Sequence, residues 1–199
     1  MIEITNLDKS EPYNKFLNFY RKALKKGQKN IEVINISSFN KSLNEVHSRF
    51  VNLKYIQSDQ WIFFSNYNSL KSQDFNSHKQ ISATFYWPNI NIQIRINANI
   101  FKSDPSISDT HFYKRGLQKN ALAVSSYQSK KIDSYVEVQK KYDDIASNKS
   151  KKLKRPEYWG GFSFVPYYFE FWEGHEYRIN KRVIYEINDG LWLKHYLQP

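Results

Sequence analysis

The cleanest hydrophobic pattern in the chain runs from Ile90 to Ile100. Ile90, Ile92, Ile94, Ile96, Ala98 and Ile100 alternate with Asn91, Gln93, Arg95, Asn97 and Asn99. A strict period of two predicts a strand with one buried face, its other face meeting solvent, a ligand or a partner chain. The strand is expected over Asn89 to Phe101, joined through Pro88 to another over Gln80 to Trp87. A different period marks Glu11 to Lys26, where Phe16, Phe19, Tyr20, Ala23 and Leu24 form one stripe at helical spacing. Pro12 suits a first helical turn and Gly27 a helix stop, so this segment is expected to be a helix whose stripe packs in the core.

The rest of the chain reads in the same way. Ile31 to Ser37 is a β-branched strand whose faces are both partly apolar, so its pattern leaves the buried side open. Phe39 to Glu45 reads as a polar connection. Ser48 to Tyr55 and Gln60 to Ser65 read as strands around a Gln57-Ser58-Asp59 turn, and Ser69 to Ser77 as a short helix. Asp104 to Arg115 reads as a helix closed by Gly116. Lys130 to Ser147 reads as another, capped by Ser129, with Ile132, Tyr135, Val136, Gln139, Tyr142 and Ile145 on its stripe. Lys149 to Arg155 reads as a basic linker. Three strands follow, near Gly161 to Glu173, Arg182 to Ile187 and Leu191 to Tyr196, the last two joined by an Asn188-Asp189-Gly190 turn. Strands separated by short turns, with helices interspersed, predict a mainly β fold with flanking helices, a barrel or sandwich. No repeat or boundary interrupts it, so residues 1–199 are expected to form one domain, with a helical N-terminal segment over 1–30.

Composition narrows the function classes. A chain of 199 residues with 40% hydrophobic and 17% aromatic content is globular. With no Cys, disulfides and thiolate metal sites are excluded, which fits a reducing cytoplasm. The first residues lack the charged and apolar regions of a secretory signal, and no apolar run reaches membrane-spanning length, so a cytoplasmic protein without a membrane partner is expected. A net charge of +11 favours phosphate-bearing partners, whether nucleic acid, an acidic membrane surface or a small ligand, without choosing among them.

The sequence excludes several chemistries. There is no G-x-G-x-x-G, no Walker-type phosphate loop and no nucleophile elbow, and the five histidines lack metal-ligand spacing. Phosphate is then expected to be held by side chains from strands and loops. Arg49 with Lys54, Ser65, Lys71, Gln93, Gln128 with Ser129, and Arg178 with Arg182 offer the needed cations and donors.

The last block, Arg155 to Pro199, holds Trp159, Trp172 and Trp192 and carries Pro-x-x-Trp-Gly-Gly-Phe, then Glu-Phe-Trp-x-Gly, then Arg178 and Arg182. This order closely resembles the C-terminal signature of the pyridoxamine/pyridoxine 5'-phosphate oxidase family, which are FMN-dependent flavoproteins. Upstream, Arg49-Phe-Val-Asn-Leu-Lys54 is similar to the family's Arg-x-Val-Leu-Leu-Lys strand. Phe64-Ser65-Asn66 and Ser69-Leu70-Lys71 resemble its Tyr-Thr-Asn and Ser-Arg-Lys elements, and Gln128-Ser129 its Gln-Ser pair. The resemblance implies an FMN-binding split β-barrel and a homodimer with FMN at the subunit interface. It implies FMN contacts from Arg49, Lys54, Phe64, Ser65, Lys71, Gln93, Gln128, Ser129, Trp172 and Arg182. It assigns the substrate to Lys54, His111, Arg115, Lys119, Arg178 and Asn180, with Arg178 and Asn180 beside the reacting ring.

The departures gather in the substrate layer. Asn180 stands where the family carries His, and it cannot titrate near neutral pH. His111 replaces a Tyr and Lys119 a Ser, both still able to donate to a phosphate. In the FMN layer Leu70 stands where an Arg is usual, beside the retained Lys71. The resemblance implies an oxidase that converts pyridoxamine or pyridoxine 5'-phosphate to pyridoxal 5'-phosphate with O2, giving H2O2. Two alternatives stand beside it: a divergent FMN-binding member acting on another substrate, and a basic, non-enzymatic nucleic-acid-binding module. No recognised nucleic-acid motif supports the last, so no nucleic-acid partner is expected.

Overall fold

The computed structural model describes residues 1–147 and 153–199. Its centre is the long alternating strand and the longer one beside it. In chain order the elements are β1 (Glu3–Thr5), α1 (Glu11–Lys25), β2 (Val33–Asn40), β3 (Glu45–Asn52), β4 (Tyr55–Gln57), β5 (Gln60–Asn66), α2 (Leu70–Ser77), β6 (Gln80–Trp87) and β7 (Ile92–Lys102). Then come α3 (Pro105–Lys114), α4 (Leu117–Ser125), α5 (Tyr135–Ala146), β8 (Trp159–Glu173), β9 (Lys181–Asn188) and β10 (Leu191–Leu197). The strands form one sheet in the order β1-β4-β5-β8-β7-β6-β2-β3, with β9 added to β8 and β10 to β9.

β8 is the branch point. One edge runs antiparallel to β7 along its length; the other edge is shared, Trp159 to Phe164 facing β5 and Tyr168 to Glu173 facing β9. A register shift between Asn97 and Ala98, opposite Tyr168 and Pro166, bends the β7–β8 pair where one edge partner gives way to the other. Gly160 and Gly161 open β8 because neighbours pack where a Cβ would stand. An added Cβ would come 2.8 Å from Ser108 Oγ at Gly160 and 2.6 Å from Ser103 Oγ at Gly161.

The strand expected from Asn89 starts only at Ile92, because Pro88–Ile90 form a 3-10 turn and Asn91 takes a left-handed φ of 51. The alternating pattern is realised from Ile92 on, with Ile92, Ile94, Ile96, Ala98 and Ile100 all buried. They meet α1, which lays Tyr13, Phe16, Phe19, Tyr20 and Ala23 into the sheet. Phe16 and Trp61 meet edge-on at 4.5 Å, and Tyr13 and Phe169 at 5.2 Å. Leu24, expected on the same stripe, is exposed at the helix end. A second cluster, Phe112, Ala121, Ala123, Leu153 and Trp159, packs α3 and α4 against the start of β8.

Several expectations need correction. The segment expected to be a polar connection over Phe39 to Glu45 is a tight turn, because Phe39 and Asn40 extend β2 and Glu45 begins β3. The strand expected over Ser48 to Tyr55 is two: β3 pairs with β2, while Tyr55 to Gln57 pairs with β5 and, in parallel, with the unexpected β1. The helix expected from Lys130 starts at Tyr135, because Ser134 rather than Ser129 caps it, its Oγ accepting from Val136 N at 3.2 Å. Ser129 instead sits at φ 72 in the preceding loop, and Ile132, Tyr135 and Val136 are exposed. α4 was not expected; its Ala121 and Ala123 are buried in the second cluster, with Leu117 and Val124 partly buried against it. Most of the basic linker expected over Lys149 to Arg155 lies outside the described residues. Its described end, Arg155, bonds Asp109 Oδ1 at 2.7 Å and the Trp159 carbonyl at 2.8 Å.

Candidate functional site

β5, the β3–β4 junction, α3, α4 and the start of β8 surround a cleft of about 580 Å³, continuous with a smaller one of about 210 Å³ through shared walls at Phe64, Ser65, Arg115, Lys119, Gln128 and Trp159. Lys54, Lys71 and His111 complete the larger part. Eight of the residues expected from the sequence therefore meet here: Lys54, Phe64, Ser65, Lys71, His111, Arg115, Lys119 and Gln128.

The floor is a row of donors. Ser65 Oγ donates to Gln128 Oε1 at 3.2 Å, and Lys71 Nζ donates to Ser65 Oγ at 3.1 Å and Ser69 Oγ at 3.3 Å. Burial, with the Arg49 charge nearby, pushes the Lys71 ammonium down to about 8 against the opposing pull of Asp74. Burial also lowers Lys54, with Lys119 and Arg115 adding to it and Glu32 opposing. Among the described residues, Lys54, Lys71, Arg115 and Lys119 form no ion pair within the chain. A donor set of this kind suits an anion with several oxygens, such as a phosphate.

One wall is aromatic. Phe64 stacks on His111 at 3.8 Å and 8°, and on Trp159 at 5.5 Å and 13°. Arg115 lies 4.5 Å over the Trp159 ring and donates to the Lys119 carbonyl at 2.7 Å. Tyr55 Oη and His111 Nδ1 are 2.8 Å apart. Burial and then the charges of Arg115, Lys54, Lys114 and Lys119 push His111 down to about 4, so the ring is neutral at physiological pH. Tyr55 and Trp159 were not among the expected ligands. Tyr55 follows Lys54 directly, and Trp159 is the Trp of the Pro-x-x-Trp-Gly-Gly-Phe motif, which marked the family without assigning this residue a ligand.

Arg49 lies behind Lys71 rather than on the cleft wall. Its guanidinium bonds Asp74 Oδ2 at 3.0 Å, Ser38 Oγ at 2.6 Å and the Ile36 carbonyl at 3.2 Å. Asp74, fully buried on α2, also accepts from Ser38 Oγ at 2.7 Å and Asn40 Nδ2 at 2.9 Å, and pairs with His47 Nδ1 at 3.0 Å. Burial pushes this carboxyl up, but the bonds from Ser38, Asn40 and His47 outweigh it and hold it below its ordinary range.

The remaining expected residues are elsewhere. Gln93, Trp172 and Arg182 stand in one row across β7, β8 and β9. Glu170, only 2% exposed, binds Arg95 Nη1 at 2.8 Å and Arg182 Nε at 2.8 Å on that face. Arg178 and Asn180 lie in the loop before β9, so the continuous strand that would put Arg178 and Arg182 on one face does not exist. Arg178 has φ 65, and Asn180 Oδ1 accepts from His175 N at 3.0 Å, bracing the loop. The first group faces β8 at Gly160 and the second at Trp172, roughly 40 Å of strand path apart. Leu70 is exposed beside Lys71, and Ser129 is exposed next to Gln128. Among the described residues no cluster of His, Asp and Glu could hold a metal, and no helix is long and apolar enough to cross a membrane.

Comparison with known proteins fits this geometry. A family described as "Pyridoxine 5'-phosphate oxidase C-terminal dimerisation region" matches residues 159–199. The chain is 33% identical over 182 residues to a pyridoxine/pyridoxamine 5'-phosphate oxidase of Cytophaga hutchinsonii, covering 90% of this chain and 84% of that one. It is 31% identical to pyridoxine/pyridoxamine 5'-phosphate oxidase 1 of Hydrogenovibrio crunogenus, covering 96% and 89%. Among solved structures, PhzG from Burkholderia lata in complex with tetrahydrophenazine-1-carboxylic acid superposes with a TM-score of 0.90 at 21% identity, covering 96% of this chain and 93% of that one. A pyridoxamine 5'-phosphate oxidase-related, FMN binding protein from Nostoc punctiforme superposes with a TM-score of 0.76 at 12% identity, covering 96% and 99%. These superpositions show the fold, a split β-barrel.

Proposed function

Because the chain belongs to the pyridoxine/pyridoxamine 5'-phosphate oxidase family, a family of oxidoreductases, we propose that it oxidises pyridoxamine 5'-phosphate or pyridoxine 5'-phosphate to pyridoxal 5'-phosphate with FMN as cofactor, O2 as acceptor and H2O2 as second product. The observation that carries this reading is the cleft itself, where Lys54, Lys71, Arg115 and Lys119 face one space with no carboxylate partner among the described residues, beside an aromatic wall. Two phosphates need such a donor set, one on the cofactor and one on the substrate.

In this reading residues 1–199 act as one domain. Lys71, Ser65 and Gln128, with Arg49 behind them, hold the flavin phosphate. Lys54, Arg115, Lys119 and His111 hold the substrate phosphate. When bound, FMN would accept the hydride from the substrate carbon that becomes the aldehyde. The chain's own work is orientation, charge and the exclusion of water. Gln93, Trp172, Arg182, Arg178 and Asn180 lie too far along β8 to serve the same cleft, so a second copy of the chain supplies them across a homodimer interface. The dimerisation-region match over 159–199 supports that arrangement. Asn180 offers no titrating group and its oxygen already accepts from His175 N, so it orients rather than exchanges protons.

The test is the visible spectrum of the purified protein before and after FMN is added and the excess removed, followed by peroxide detection with each vitamer. A stoichiometric flavin spectrum and peroxide release are expected. A colourless protein that takes no FMN sinks the proposal. Bound flavin without peroxide from either vitamer moves it to a second reading, a family member with another substrate, which the changes at His111, Lys119 and Asn180 favour.

A further inference from the structure

We propose that His111 is a specificity-determining residue of this cleft, selecting dianionic over monoanionic ligand heads by taking up a proton as the dianion binds. The inference rests on the cleft being an anion site, as the proposed function has it, and deepens that reading.

The geometry fixes the ring and surrounds it with charge. Phe64 stacks on one face and the Tyr55 hydroxyl holds Nδ1 at 2.8 Å, so the imidazole is pinned by its stacked face and by one nitrogen. Cations act on it from three sides: Lys54 from the β3–β4 junction, Lys114 and Arg115 from the end of α3, and Lys119 from α4. Acids act on the ring's neighbours, Glu32 on Lys54 and Glu3 on Tyr55, and Asp109 on the same helix is paired with Arg155. None of the three pairs directly with the ring. Phe64 and Trp159 carry no charge. The cleft thus holds a positive field with a neutral, titratable ring in its wall.

A neutral imidazole has one nitrogen without hydrogen. Taking a proton from solvent fills it, and the charged ring then donates from both nitrogens, Nδ1–H to Tyr55 Oη and Nε2–H towards the ligand. The surrounding cations oppose that step, and burial opposes it further, which is why the free ring titrates at about 4. A dianion among the same cations cancels the opposition. A monoanion cancels half as much charge and leaves the ring neutral. The position is therefore a charge counter, a property that Tyr at this place would lack.

The experiment follows His111 by its side-chain ¹⁵N signal from pH 4 to 8, assigned by its disappearance in His111→Gln. The probes are sodium sulfate, a dianion across this range, and sodium methanesulfonate, a monoanion, at matched ionic strength. The holoprotein is used if it takes FMN, and the protein as purified otherwise. With sulfate the His111 midpoint is expected to rise by about 1–3 pH units, as an opposite charge at close range shifts a histidine. With methanesulfonate it is expected to move much less. Between the free and bound midpoints, sulfate affinity is expected to fall up to about tenfold per pH unit as pH rises, and to lose that slope in His111→Gln. Sulfate that binds in an Arg115-dependent way without moving the His111 midpoint overturns the proposal, as does a cleft that takes no sulfate. The two readings separate cleanly. A protein that takes no flavin but recharges His111 with sulfate loses the oxidase reading and keeps this one. A flavoprotein whose His111 ignores sulfate does the reverse.

Discussion

Replacing Lys71 with Met should make the flavin-free protein more stable while making it a worse flavin binder. The ammonium is half-buried, close to the Arg49 charge, and its proton leaves at about 8 rather than at the ordinary 10.5. Each tenfold loss of proton affinity is about 1.4 kcal/mol, so holding the charge there costs the folded state up to about 3 kcal/mol at pH 7. Met fills similar volume without the charge but loses the bonds to Ser65 and Ser69, each about 0.5–1.5 kcal/mol. A net gain of about 0–2 kcal/mol remains. The pH dependence fixes the cause. Below about 8 both the folded and the unfolded chain carry the proton, and the folded chain bears the full cost. Between about 8 and 10.5 the folded chain has released it while the unfolded chain has not, so this residue adds stability as pH rises. Urea unfolding of stripped wild type and Lys71→Met at pH 7 and pH 9.5 reads this directly. The gap should favour the variant at pH 7 and close, or reverse, at pH 9.5. Flavin affinity, read by fluorescence quenching, should fall about ten- to a hundredfold with the loss of a charged hydrogen bond. A variant less stable than wild type at pH 7, or a gap indifferent to pH, would refute the reasoning.

Leu70→Arg should place a second cation beside Lys71 and tighten flavin severalfold, about 0.5–1 kcal/mol for a solvent-exposed charge; unchanged affinity would mean that position 70 points away from the phosphate. Asp74→Ala leaves Arg49 behind the cleft without its carboxylate and should cost about 3–5 kcal/mol in urea unfolding. Phe16→Ala removes the ring wedged between Trp61 and Phe85 and should cost about 3–5 kcal/mol with the denaturant slope unchanged.

The fold was legible where one residue pattern had one structural solution. β7 alternates without a break and is buried on its isoleucine face throughout. The aromatic stripe of α1 leaves only the packed side available. Legibility failed where a local signal had rivals. Ser129 and Ser134 can both cap a helix, and only the loop path chose Ser134. β1 is three residues long and pairs in parallel with β4, a contact that no local pattern announces. α4 escaped because it is only nine residues long and its Leu117, Ala121 and Val124 stripe is too short to stand out. At the site, residue types and their order pointed to the cations and donors, but not to their grouping. The strand alternation could put Gln93 on the polar face of β7 without saying that β8 would carry Lys71 and Gln93 to opposite ends. The buried Asp74 behind Arg49 was equally invisible, since a polar α2 reads as solvent-facing.

β8, with one candidate half-site at each end, has a genetic consequence. If two chains meet about a two-fold axis, each whole site draws on both. A chain lacking Lys71 and a chain lacking Arg182 would each be silent alone, since every site in either homodimer is damaged. Co-produced in one cell they would also form mixed dimers, in which one site gathers both lesions and the other gathers none. With random pairing about a quarter of all sites would be intact. Two broken alleles would then complement each other, whereas two lesions at the same end of the strand would not.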